Sequence, residues 1–304
     1  MPLPNFFIIG APRCGTTSLF AYCRQHPEIY MSHIKEPNFF LFNEGNSAFG
    51  GPGSCEAVRT AIRNPRTYEK LFAKAGPALA VGEASVNYLI STEACDRIKA
   101  QIPHAKLVVM LRQPVDRAYS SFIRSLRDGT EPCTRFEDAW ADHERRVREN
   151  WWSCQHKAKS LYYAPLKKYL QTFSRDQIQI HLFEDLTQHP RAIIQQLFTF
   201  LGVNSAFAPD LAGHYNASQS VEHPLLRTLW NRTTGLRAVL APALPLAWRG
   251  RLFVHLVAQR RLRSDQQPLP PGLRTRLTAE LKDDILRLQD LIDRDLSHWL
   301  TDRK

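Results

Sequence analysis

No two of the chain's six cysteines, at positions 14, 23, 55, 95, 133 and 154, form a Cys-x-x-Cys pair. Without that spacing a zinc site or a dithiol redox centre is not indicated, and no metal is expected. A disulfide framework is equally unexpected, because 304 residues with 43% apolar content can bury a large core unaided. Long apolar runs are missing too. The longest near the C-terminus, Ala238 to Trp248, is interrupted by Pro242 and Pro245 and is too short to span a bilayer. No signal-peptide pattern precedes the first apolar strand, so the expected setting is a cytoplasm with reduced thiols. Fixed-period repeats and low-complexity tracts are absent. Acidic residues are in short supply: 29 Asp and Glu against 40 Lys and Arg give a net charge of +11. That excess fits a solubilising surface, and it equally fits affinity for a nucleotide, an acidic saccharide, an anionic lipid surface or nucleic acid. The basic residues form no single stripe and no RNA or DNA module is recognisable, so no nucleic-acid partner is expected.

One further absence is local. Gly10-Ala11-Pro12-Arg13-Cys14-Gly15-Thr16-Thr17 follows the apolar run Phe6-Phe7-Ile8-Ile9 and opens a helical stretch, Thr17 to Arg24. In this strand–loop–helix context, backbone N–H groups and a helix N-terminus hold an anion. The nucleotide-triphosphatase form of the loop, G-x-x-x-x-G-K-[ST], carries a lysine for the outer phosphates. Here Gly10 and Gly15 keep the spacing, Thr16 stands where the lysine would be, and Arg13 is the loop's only cation. Such a loop is suited to binding a phosphate and poorly built for transferring one.

Apolar runs at Phe6–Ile9, Ile29–Met31, Leu79–Val81, Lys106–Leu111 and Ile178–Phe183 read as buried strands, several of them continuous, as in parallel sheets covered on both faces. Helical patterns alternate with them at Thr17–Arg24, Thr67–Ala75, Ser91–Gln101, Pro114–Arg127, Phe136–Glu149, Leu161–Phe173 and Pro190–Leu201. The expected fold is α/β: a P-loop-like, doubly wound, mostly parallel sheet flanked by helices, with ligands at the C-terminal strand ends. Phe42 to Arg66 reads as an irregular loop. Past Asn216, basic helical pieces lead through Pro268-Leu269-Pro270-Pro271-Gly272 to an amphipathic stretch, Leu273–Leu291. This makes one domain, with an α/β core over about 1–215 and a C-terminal helical lobe over about 216–304.

Two further segments carry chemistry. The fourth strand ends at Arg112, Pro114 suits the first turn of the next helix, and Arg117 and Ser120 are spaced to share a face near its start. A guanidinium and a hydroxyl there make either a second anion site or an ordinary strand–helix junction. Lys35-Glu36-Pro37-Asn38-Phe39-Phe40 follows the second strand directly. Its carboxylate is either half of a solvated pair or, beside a phosphate loop, a base for an attacking hydroxyl. Phe39 and Phe40 read as core.

Together these segments resemble the nucleotide-dependent sulfotransferases, especially the branch containing the heparan sulfate and related sugar sulfotransferases. The similarity extends from Phe6 to Trp299. It takes in Gly82-Glu83-Ala84-Ser85-Val86-Asn87-Tyr88, Tyr163-Ala164-Pro165-Leu166, Phe183-Glu184-Asp185-Leu186 and His214-Tyr215-Asn216-Ala217-Ser218. The resemblance implies 3′-phosphoadenosine 5′-phosphosulfate (PAPS) as donor, adenosine 3′,5′-bisphosphate (PAP) as product, and no metal. It implies that Arg13, Cys14, Gly15, Thr16, Thr17 and Ser18 bind the 5′-phosphosulfate, that Arg112 and Ser120 bind the 3′-phosphate, and that Glu36 is the catalytic base. Arg13 replaces the family's usual lysine, which leaves it an electrostatic role in catalysis. Asn38 and Ala84 stand where the animal 3-O-sulfating branch has histidine and lysine, so that branch's substrate contacts do not carry over.

The reaction implied is sulfuryl transfer to a hydroxyl or amine of a carbohydrate or glycoconjugate. The alternative acceptor is a lipid or small hydrophobic alcohol, for which Leu236–Arg261 offers a basic, apolar surface for peripheral membrane contact. The rival readings are a P-loop kinase or NTPase, a non-catalytic basic nucleic-acid binder, and a family member that binds nucleotide without transfer.

Overall fold

In the computed structural model, the residues described are 3–42, 50–52, 60–211 and 269–301. Five strands, β1 (Phe6–Gly10), β2 (Ile29–Met31), β3 (Ala80–Ala84), β4 (Lys106–Leu111) and β5 (Ile178–Leu182), make one parallel sheet in the order β2-β3-β1-β4-β5. The central strand β1 is buried throughout, with Phe6 opposite Gly82 on one side and Lys106 on the other. From β1 the chain runs out to β2, returns through β3, and then crosses β1 to reach β4. This reversal brings the C-terminal ends of all four strands around one crevice.

The helices are α1 (Thr16–Cys23), α2 (Pro65–Lys70), α3 (Thr92–Gln101), α4 (Pro114–Arg127), α5 (Phe136–Ala141), α6 (His143–Arg148), α7 (Tyr163–Thr172), α8 (Phe183–Gln188) and α9 (Pro190–Leu201). After the undescribed stretch come α10 (Pro271–Glu280), α11 (Lys282–Ile292) and α12 (Ser297–Leu300). Local chemistry fixes several starts. Pro114 occupies the first turn of α4, and the Gln113 side chain accepts from Asp116 N at 2.8 Å. Asn64 Oδ1 accepts from Thr67 N at 3.1 Å, so α2 begins at Pro65 rather than Thr67, and it stops at Lys70 rather than Ala75.

Other boundaries differ from the sequence reading for physical reasons. β3 spans Ala80–Ala84 rather than Leu79–Val81 and so contains Gly82 and Glu83. Gly82 is needed because the ring of Phe6, its cross-strand partner, fills the space a Cβ would take. Glu83 is admitted because three hydroxyls satisfy its carboxylate. β5 ends at Leu182, and Phe183 opens α8 instead of closing the strand. The helix expected over Phe136–Glu149 is two helices meeting at Asp142, whose carboxylate accepts from Arg145 at 2.6 Å and Arg146 at 3.0 Å. Leu273–Leu291 likewise breaks at the buried Leu281. α7 starts at Tyr163 because a 3₁₀ turn, Ala158–Ser160, precedes it.

The C-terminal helices pack back against α4 and α7. Gln113 Nε2 donates to Thr278 Oγ1 at 2.9 Å, Arg274 Nε donates to Asp116 Oδ1 at 3.1 Å, and Trp299 is buried. Most of the expected loop between Phe42 and Arg66 lies outside the described residues. So do His214–Ser218, Ala238–Trp248, Leu236–Arg261 and the rest of the basic stretch past Asn216.

Candidate active site

The strand ends enclose a cleft of about 380 Å³. Its walls join the loop after β1 (Arg13, Gly15, Thr16, Thr17), the segment after β2 (Lys35, Glu36), Asn87 after β3, and Arg112 and Ser120 at the β4–α4 junction. Residues far apart in sequence are thus assembled on one surface.

The loop after β1 turns into α1 through Gly15, whose φ of 84° is left-handed and where a Cβ would come within 3.0 Å of the Phe183 ring. Arg13 is left-handed at φ 71°, and its Nε donates to Ser120 Oγ at 3.1 Å. Arg112 reaches the same loop, with Nη1 directed at Arg13 O at 3.4 Å and its guanidinium 4.7 Å from the centroid of the Phe183 ring. Burial lowers the Arg13 pKa, and repulsion from Arg124, Arg112, Arg127 and Arg117 lowers it further. An arginine stays charged regardless, so this end of the cleft is a concentrated positive field. Arg112 Nε is buried and, among the described residues, without a hydrogen-bond partner. An anion beside it would satisfy a donor that the fold leaves open.

Two loop positions do not face the cleft. The Cys14 side chain is fully buried, with Sγ 3.7 Å from both Pro12 O and Tyr162 Oη, and burial pushes its thiol up to about 11. Ser18 is half-buried and is not part of the cleft wall. Arg117, spaced to share a face with Ser120, instead turns fully inward. Its Nε donates to Ser160 Oγ at 2.6 Å and its Nη2 to His156 O.

Glu36 lines the same cleft. It is left-handed, with φ 61°, and its N–H pairs with Ala84 O at 2.9 Å. Its carboxylate is about one-third exposed and meets Lys35 Nζ at 2.8 Å. A pair this open contributes about 0–1 kcal/mol, so Glu36 can exchange the lysine for an incoming proton donor.

The sequence reading assigned no role to the group that holds this segment. The buried Glu83 carboxylate accepts from Tyr68 Oη and Tyr88 Oη, each at 2.8 Å, and from Ser85 Oγ at 2.6 Å. Ser85 Oγ then accepts from Asn38 N at 3.0 Å and Tyr88 Oη from Phe40 N at 3.3 Å, so Glu83 anchors the backbone just past Glu36. Phe40 lies in the core against Phe7 and Tyr68, and Phe39 stacks on Tyr68 at 4.2 Å. A carboxylate two positions before a serine in an otherwise apolar strand is the signal that could have found this group.

Among the described residues, one group gathers metal-type ligand atoms: Glu131, Cys154 and His156. Its lone pairs are already used. Arg146 donates to both Glu131 oxygens at 2.8 Å, and His156 Nε2 lies 2.7 Å from Glu131 Oε2. The group reads as a buried ion pair bracing α6 against the segment before α7.

Residues 4–207 match a family model described as the sulfotransferase family. The chain belongs to that family. A solved sulfotransferase from Alicyclobacillus acidocaldarius shares 33% identity and a TM-score of 0.76, covering 99% of this chain and 100% of the other. Human carbohydrate sulfotransferase 15 is 29% identical over 252 residues, covering 66% of this chain and 44% of the relative. The mouse bifunctional heparan sulfate N-deacetylase/N-sulfotransferase 4 is 26% identical over 238 residues, covering 75% of this chain and 24% of the relative. The chain therefore spans less than half the length of these curated relatives. Among the described residues of this sulfotransferase, no helix is long and apolar enough to cross a membrane.

Proposed function

We propose that this sulfotransferase transfers a sulfuryl group from PAPS to a hydroxyl or amine of a carbohydrate or glycoconjugate. The observation that carries the reading is one cleft whose lining joins a cationic cluster, Arg13 and Arg112 with Ser120, and a carboxylate, Glu36. Arg112 and Ser120 would hold the 3′-phosphate and thereby select this donor over ATP. The N–H groups of Gly15, Thr16 and Thr17, at the start of α1, would hold the 5′-phosphate.

The donor supplies a sulfuryl group already activated on phosphate. Glu36 takes the proton from the acceptor oxygen as that oxygen bonds to sulfur. The sulfur–oxygen bond to the phosphate breaks, and its electron pair stays on PAP. Arg13, fixed through Ser120, offsets the charge that develops there. Positioning and preorganised charge supply the catalysis, and no step asks for a metal.

The relatives named for carbohydrate and heparan sulfate favour a saccharide acceptor. The net charge of +11 suits an acidic one. The test is transfer of label from PAP³⁵S to a panel of sugars, glycolipids and small alcohols, with mass spectrometry locating the gain. A thermal shift with PAP and none with ATP·Mg²⁺ is expected alongside. Stabilisation by ATP·Mg²⁺ alone would overturn the donor assignment.

A further inference from the structure

Lys159 is the most unusual cation near the cleft. It is 7% exposed, its Nζ donates to Asn87 Oδ1 at 3.2 Å, and it lies 4.3 Å from the centroid of the half-buried Trp152 ring. Among the described residues it has no carboxylate within ion-pair distance. A buried ammonium without a counter-ion is costly, so its single hydrogen bond is a strong constraint on the partner.

That constraint orients Asn87. In its ammonium form Lys159 only donates, so in that form the carbonyl oxygen of the Asn87 amide faces it and the NH₂ group points the other way. Asn87 lines the cleft, and among the described residues its Nδ2 donates to no other protein atom. Its backbone, at φ −91° and ψ −2°, sits in the sparsely populated bridge region common in active sites. The cleft therefore presents two N–H donors with no accompanying acceptor, on the loop after β3, while Glu36 presents an acceptor on the segment after β2.

We propose that Asn87, oriented by Lys159, donates hydrogen bonds to the oxygens of the donor's sulfuryl group. A donor-only face suits a group whose three outer oxygens carry charge and have no proton to give. It suits the attacking hydroxyl less well, because that oxygen needs its lone pair for sulfur. Lys159 acts through Asn87 and is a positioning residue. Burial and the repulsion of Arg117 lower its pKa to about 7, while Cys154 and Glu36 raise it. A bound anion reinforces the ammonium form.

The inference rests on PAPS being the donor, and the test separates the two claims. Calorimetry compares PAP, which lacks the sulfuryl group, with intact PAPS on the whole chain. Asn87→Ala should weaken PAPS binding about tenfold or more, the value of a hydrogen bond to a charged group, and leave PAP binding unchanged. Lys159→Met should reproduce that selective loss, and Lys159→Arg should restore most of the affinity, since it keeps the donor charge. Equal losses for both nucleotides, or no loss for either, would overturn the role of Asn87 and leave the donor assignment intact. A wild-type chain that binds neither nucleotide would remove both.

Discussion

Two side chains that line the cleft divide the proposed chemistry. Among the described residues Glu36 has Lys35 as its ion-pair partner, so removing its charge should affect proton transfer and little else. Glu36→Gln is expected to lower single-turnover transfer by about 10²–10⁴-fold, the usual contribution of a general base. PAP affinity should hold within twofold or so, because the nucleotide contacts proposed lie elsewhere. Full activity in the variant would remove Glu36 from the mechanism. Arg112→Ala should weaken PAP binding by about 1.5–3 kcal/mol, the cost of a charge-assisted contact. Unchanged PAP affinity by calorimetry would reject the 3′-phosphate assignment. The place of Glu36 and Arg112 beside the cleft was legible in the sequence because each stands at a fixed offset within a short motif next to a strand end. That of Asn87 and Lys159 was not, because their pairing spans 72 residues and depends on where the turn after Trp152 comes to rest.

The element that most constrains the cleft is β3 and the turn after it. Burial, the largest influence, pushes the Glu83 carboxyl up to about 7, against the pull of Ser85, Tyr88 and Tyr68. Its raised pKa stabilises the fold fully below its ordinary value of 4.5, and that contribution is lost as pH rises through about 7. Tyr88→Phe deletes one hydroxyl that eases ionisation and also leaves Phe40 N without an acceptor. The substitution should cost about 1–3 kcal/mol in urea unfolding, with more lost at pH 8 than at pH 5. A penalty independent of pH would show that Glu83 does not titrate in this range. The sequence reading ended β3 three residues early, at Val81 rather than Ala84, because it followed apolar content alone. A strand whose last residues are Gly82, Glu83 and Ala84 becomes intelligible only once Phe6 and the three hydroxyls are seen around it.

Across the whole molecule, the alternation of strands and helices was readable because parallel strands buried on both faces give continuous apolar runs. How the C-terminal helices pack against the junction of β4 and α4 was not readable, since it depends on contacts across more than 150 residues. Gln113, next to Arg112, donates through Nε2 to Thr278 Oγ1 at 2.9 Å and to Trp299 O at 3.3 Å. Trp299 lies 6.3 Å from Tyr162 between ring centroids, and Tyr162 Oη donates to Arg112 O at 3.1 Å. The C-terminal helices thus brace the backbone that presents Arg112 to the cleft. Trp299→Leu, which shortens a fully buried side chain at that brace, should destabilise the fold by about 2–4 kcal/mol, somewhat below the cost of full truncation. It should also weaken PAP binding at temperatures where circular dichroism shows the variant folded. Leu288→Ala empties a buried position on α11 that makes none of these contacts, and should cost about 2–5 kcal/mol with PAP affinity retained. Two variants of similar stability with different PAP affinities would tie the C-terminal helices to nucleotide binding. Equal affinities would reduce them to a support for α4 and α7.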